Sequence, residues 1–170
     1  PGLAMIGLSE LALSLIDSAN IGYYFNLKTE LKNQQKNTTA YTPATTLIVG
    51  LKTMLEEIFA MGLDEFYAKT AKRSNATKKA FEAIGLKIYP KSPALSMTTI
   101  YYENSADKLR KIMQTKYALN AAGGQDMLKG HIVRISQMGL IEDYEAAWAV
   151  NALEKAICDF EGKKFEGKAN

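Results

Sequence analysis

His131-Ile132-Val133-Arg134-Ile135-Ser136-Gln137-Met138-Gly139 sets one arginine inside a short apolar run that ends at a glycine. The β-branched residues of this run predict a strand over 131–135. A guanidinium in such a strand is costly to desolvate unless an anion meets it. The natural anion is a carboxylate, held by two parallel charge-assisted hydrogen bonds. Two readings stand open for Arg134. It forms a structural ion pair with Asp126, Glu142 or Asp143, which local evidence favours, or it holds a carboxylate ligand. His131 alternates to the opposite face from Arg134 and reads as a solvent-facing or hydrogen-bonded structural histidine.

Working outward, Ile141 to Phe160 follows the helical period and predicts a long terminal helix with Trp148, Leu153 and Ile157 inside. Beyond it, Glu161 to Asn170 is charged and reads as a frayed tail. On the other side, Gly123-Gly124 closes a short strand over Tyr117 to Ala121. Ser105 caps a helix carrying Leu109, Ile112 and Met113. Lys87 to Tyr89 and Met97 to Tyr102 read as strands, separated by the turn residues Pro90, Ser92 and Pro93. A helix over Leu63 to Ile84 turns Phe66, Thr70, Thr77, Phe81 and Ile84 inward and meets Gly85 at its C-terminal end. From residue 63 the order is helix, strand, strand, helix, strand, strand, helix. That predicts an α+β sandwich, a mostly antiparallel sheet covered by helices.

The first 62 residues follow a different pattern and look like the end of another unit, so the expected domains are 1–62 and 63–170. Met5, Leu8, Leu11, Ala12 and Leu15 predict a helix ending near Asp17 to Asn20. Ile21 to Leu27 reads as extended and Lys28 to Lys36 as a short polar link. Thr42 then caps a helix with Pro43 at its first position, where the missing N–H costs nothing. Its stripe is Leu47, Ile48, Leu51, Leu55, Ile58 and Phe59, running to Met61-Gly62. A helix N-terminus attracts anions, and Thr39, Tyr41, Thr42, Thr45 and Thr46 crowd this one with hydroxyls. An ordinary capped helix would need only Thr42.

Composition narrows the function classes. The 170 residues are 47% hydrophobic and 23% charged, as in an ordinary globular protein. A net charge of +3 gives no argument for nucleic acid, and the basic run Lys69 to Lys79 reads as a solvated helix face. No apolar run approaches the roughly 20 residues that span a bilayer. One histidine and one cysteine supply no metal cluster, and Cys158 reads as a small core residue in a reducing compartment, the cytoplasm.

Three segments in one order carry a resemblance. Pro1-Gly-Leu-Ala leading into a serine–glutamate helix, Tyr41-Thr-Pro-Ala-Thr-Thr-Leu-Ile, and Val133-Arg-Ile-Ser-Gln-Met-Gly139 resemble the C-terminal half of class V aminotransferases. Tyr23-Tyr-Phe-Asn-Leu27 and Ser92-Pro-Ala-Leu95 extend the likeness to the alanine–glyoxylate/serine–pyruvate branch, over essentially the whole chain. The resemblance implies the small domain of a fold-type I, pyridoxal 5'-phosphate-dependent enzyme, preceded by the last helices of the large cofactor domain. It implies a homodimer acting on alanine or serine and on glyoxylate or pyruvate. The Schiff-base lysine would lie upstream of Pro1, so the chain holds no catalytic residue and is expected to be inactive alone. Arg134 matches the arginine that binds the substrate carboxylate, and Gly124 lies in the loop bordering that pocket. Thr42 matches the threonine that reaches the partner subunit's cofactor phosphate. The family tyrosine three residues ahead of that threonine is replaced by Thr39, which leaves Tyr41 in a different register. The alternatives are a free-standing carboxylate-binding module and a non-catalytic subunit.

Overall fold

The computed structural model describes residues 2–16, 22–103 and 105–169. The chain divides into two compact units, Pro1–Ala60 and Met61–Asn170.

In the first unit, α1 (Glu10–Leu15) starts where Ser9 Oγ accepts the Ala12 N–H at 3.2 Å. Residues 2–9 carry no regular structure, so the helix expected from Met5 starts five residues late. Its expected end at Asp17 to Asn20 lies outside the described residues, as does Ile21. Tyr23 to Phe25 bend rather than extend, with the rings of Tyr23 and Tyr24 gathered on Tyr41 and that of Phe25 edge-on to Tyr24. Tyr24 stacks on Tyr41 at 4.7 Å, and Tyr41 Oη donates to Tyr23 O at 2.6 Å. The polar link is a helix, α2 (Leu27–Gln34), with Asn26 Oδ1 accepting from Thr29 N at 2.9 Å. Local capping and the i,i+4 pair Gln34–Glu30 support it where an apolar stripe does not.

The third helix, α3 (Thr45–Met61), begins three residues after Thr42. Thr45 N donates to Pro43 O at 2.9 Å, a tight turn that keeps Pro43 and Ala44 out of the helix. Thr42 is therefore an exposed residue ahead of that turn, not the N-cap. α3 buries none of its residues; Leu51, Leu55 and Ile58 are half-buried, and Leu47, Ile48 and Phe59 are exposed.

The second unit contains α4 (Leu63–Ala83), β1 (Lys87–Ile88), β2 (Met97–Tyr101), α5 (Ala106–Tyr117), β3 (Ala122–Gly123), β4 (Ile132–Ser136) and α6 (Asp143–Glu161). A 3-10 turn, Asp126–Leu128, joins β3 to β4. The sheet order is β1-β2-β4-β3, antiparallel throughout. Thr98 pairs with Ile135 and Ile100 with Val133, so these four side chains share one face. All four are buried on the helix side, with Phe81, Leu109, Met113 and Leu153 in the same core. Gln137, 2% exposed, donates from Nε2 to Thr98 Oγ1 at 3.1 Å and so satisfies the polar pair within that core.

Four expectations need correction in this unit. Tyr117 is the last residue of α5, and the short strand follows at 122–123 with Gly123 inside it. The helix turns off at Ala118, whose φ of +51° leaves 118–121 out of register with the sheet. Trp148 is 43% exposed, since α6 turns Ala149, Ala152, Leu153 and Ala156 inward instead. The basic run on α4 is only in part a solvated face: Lys69, Lys72 and Lys79 are exposed, but Arg73 and Lys78 are each only 8% exposed. Lys78 Nζ donates to Ala94 O at 2.9 Å, and burial pushes its ammonium below the usual lysine range. Finally, the tail is docked, not frayed. Glu154, 5% exposed on α6, accepts the backbone N–H groups of Lys168 at 2.8 Å and Ala169 at 3.1 Å.

Removing this carboxylate leaves two amide donors without partners, which costs about 1–3 kcal/mol each way it is counted. Glu154→Ala should lower stability by about that much in chemical denaturation and speed amide exchange at Lys168 and Ala169. Unchanged exchange there would show that other contacts hold the tail. A second expectation concerns Tyr102, whose Oη donates to Glu161 Oε1 at 2.8 Å. Burial first, then this bond, pushes the phenol up to about 12. The folded value lies above the ordinary 10.0, so this contribution is fully present below pH 10 and is lost as pH rises toward 12. Tyr102→Phe should flatten the alkaline limb of a stability–pH profile; a limb of unchanged slope would assign it to other groups.

Candidate functional site

Alternation along β4 decides where Arg134 goes. Val133 and Ile135 turn into the core, so Arg134 emerges on the face away from the helices, beside Thr99 of β2 and Ala122 of β3. It is half-buried there, and its Nε donates to Gly123 O at 2.8 Å. Among the described residues, Arg134 forms no ion pair, and neither Nη has a hydrogen-bond partner. The structural ion pair with Asp126, Glu142 or Asp143 is therefore not made. Glu142 is engaged in the capping box of α6, and Asp143 lies against Lys72 at 3.6 Å. A guanidinium anchored by one edge, with its paired nitrogens open, suits a planar anion.

The loop that borders Arg134 is fixed by close approach. Arg110 Nε donates to Ala121 O at 2.7 Å, while its Nη1 meets Asp107 at 2.9 Å. A side chain at Gly124 would collide with the Leu128 carbonyl, so only glycine lets the 3-10 turn close there. Arg134 and Gly124 are thus brought together through the Gly123 carbonyl. Thr42 belongs to the first unit, where its neighbours Thr39 and Tyr41 are joined by an Oγ1-to-carbonyl bond of 2.5 Å. Tyr41 is committed to Tyr23 and Tyr24, which explains its register.

Sequence reading missed the neighbours of Arg134 on this face. Tyr89, Tyr101 and His131 form a stacked row, with successive ring centroids 6.0 Å apart. His131 was expected on the opposite face, but it precedes the strand, after Gly130 with φ +78°, and strand alternation does not reach it. The residue is half-buried, and its Nδ1 is buried without a hydrogen-bond partner. Tyr101 could have been found from its two-residue spacing to Thr99; the histidine could not. Among the described residues no cluster of three histidine, cysteine, aspartate or glutamate side chains could hold a metal, and no helix is long and apolar enough to cross a membrane.

No protein-family model matches the chain. An uncharacterized aminotransferase of Helicobacter pylori is 45% identical over 171 residues, covering 100% of this chain and 46% of the relative. A serine–glyoxylate aminotransferase of Hyphomicrobium methylovorum is 27% identical over 166 residues, covering 93% of this chain and 41% of its own length. The crystal structure of a subgroup IV aspartate aminotransferase from Thermus thermophilus superposes with a TM-score of 0.79 at 28% identity. That match covers 89% of this chain and 43% of that structure. The chain spans less than half the length of these relatives. By sequence along its whole length, and by the helix-covered antiparallel sheet that carries Arg134, the chain is similar to aminotransferases.

Proposed function

We propose that this chain supplies the substrate-carboxylate clamp of a pyridoxal phosphate-dependent aminotransferase. The full enzyme would move an amino group between alanine or serine and a small 2-oxo acid, glyoxylate or pyruvate. The observation that carries the reading is Arg134, half-buried on the sheet face away from the helices and anchored to Gly123 O, with both Nη groups unpartnered among the described residues. The similarity to a serine–glyoxylate aminotransferase supports the substrate class.

Arg134 binds the carboxylate of the amino acid or oxo acid through two parallel hydrogen bonds, which fixes the α-carbon in place. Gly123 and Gly124 keep the neighbouring backbone clear of bulk and hold the guanidinium in plane. Pyridoxal phosphate, when bound, supplies the electron sink for amino transfer. Of this chain's residues, the exposed Thr42 hydroxyl and the backbone N–H groups of Thr46 and Leu47 in the first turn of α3 fit its phosphate, since among the described residues these donors have no partner. In a homodimer that phosphate belongs to the second copy.

Two variants test these roles in the protein at the length of its relatives. Truncating one partner of a hydrogen-bonded charge pair costs about 2–5 kcal/mol, so Arg134→Ala should raise KM for the amino donor by about 30-fold or more. Arg134→Lys should recover little, because one ammonium cannot make the parallel pair. A KM within twofold of the parent in steady-state assays with serine and glyoxylate would remove the clamp role. Thr42→Val should weaken cofactor affinity about tenfold, the value of one hydrogen bond to a charged group. Absorbance titration with pyridoxal phosphate reads this directly, and an unchanged affinity would take Thr42 out of the phosphate site.

A further inference from the structure

Arg73 on α4 is 8% exposed, and its Nε is fully buried with no hydrogen-bond partner. Among the described residues it forms no ion pair or hydrogen bond at all. The guanidinium charge is permanent, and with its Nε buried and unmet an anion at the remaining nitrogens is favoured. The side chain lines a cleft of about 630 Å³ between α4 and α6, within the second unit. That size falls in the range of small-molecule sites.

The two walls are built differently from the rim. Ala76, Ala80 and Ala83 on α4 face Ala146, Ala147 and Val150 on α6. These recur at three- and four-residue steps, so each helix presents a stripe of small apolar side chains to the gap. The alanines hold the gap open because their side chains do not fill it. Around the rim, Lys72, Lys79 and Lys168 outnumber Asp143. Lys72 is shared with Asp143 at 3.6 Å, and Lys168 Nζ lies against Glu166 at 2.6 Å. Arg73 and Lys79 keep uncompensated charge. Floor and rim together define an occupant with one anionic end and a hydrocarbon body. A phosphate fits the guanidinium equally well, yet it would have to shed water over alanine with nothing gained.

We propose that the α4–α6 cleft is a second anion site, distinct from Arg134, that binds a small amphipathic carboxylate. The carboxylate meets the Arg73 guanidinium and the apolar body lies along the alanine stripes. The proposal does not depend on the aminotransferase reading.

Octanoate is the probe, titrated into the full chain by calorimetry and by amide NMR, with octanamide and inorganic phosphate as comparisons. Octanoate should bind and shift the amides of Ala76, Ala80, Ala146 and Ala147, and both comparisons should bind at least tenfold more weakly. Arg73→Met should weaken octanoate at least tenfold, with partial recovery in Arg73→Lys. Ala147→Leu keeps the charge and fills the gap from an exposed position, so it should also weaken octanoate, whatever Arg73→Met does to folding. The proposal is overturned by an absence of octanoate binding, by equal affinity for octanamide or phosphate, by shifts confined to the Arg134 face, or by binding that survives Ala147→Leu.

Discussion

The pairing of β2 with β4 is the constraint on which the second unit depends. Side chains alternate strictly along a strand, so a slip of one residue exchanges its two faces. Here the register sets Ile100 against Val133 and Thr98 against Ile135, and these side chains are buried under the helices. With that core face fixed, Arg134 has only the other face available. Thr99 on β2 and the Gly123 carbonyl on β3 then frame it from both sides. The position of Arg134 is thus decided by the apolar residues on either side of it.

Much of this unit could be read from sequence because its elements obey local periods. Phe81, Leu109, Met113 and Leu153 fall at helical spacing, and β2 and β4 carry the β-branched residues that strands favour. What escaped were features set by distant residues. The tail over 163–169 is charged, and nothing local signals that Glu154 would hold its amides. The lysine-rich stretch of α4 looks solvated, yet the Ala94 carbonyl reaches Lys78 from sixteen residues away. In the first unit α2 lacks an apolar stripe and rests on its Asn26 cap and side-chain pairs, signals weaker than periodicity. The turn at Pro43 delays α3 although Thr42-Pro43 has the ordinary form of a helix start.

The same division holds at the site. Arg134 stood out because a charged residue interrupts an apolar strand. Its missing counterion did not, since Asp126, Glu142 and Asp143 all lay close enough in sequence to be candidates. Only the fold shows that Glu142 is committed to its helix cap and Asp143 to Lys72. Gly124 was legible as a glycine of interest, but the physical reason for it is the Leu128 carbonyl packed against its α-carbon. Arg134 and Arg73 present one problem in two forms. The first is eased by a backbone carbonyl and opens to a broad face, whereas the second is buried with its Nε unpartnered beside a narrow trough.

The order of strands in the sheet also bears on how the molecule is assembled. β2 and β4 are neighbours in space, yet α5, β3 and the 3-10 turn all intervene between them along the chain. The central ladder therefore cannot zip from a hairpin; its ends must first diffuse together across a long closed loop. The α5 helix, made of local contacts, forms on a faster clock and shortens that search by folding the loop beneath the strands. Closing that loop is the slow kind of step in such a topology, and a change at the buried Ile100 or Val133 would register in the folding rate as well as in stability.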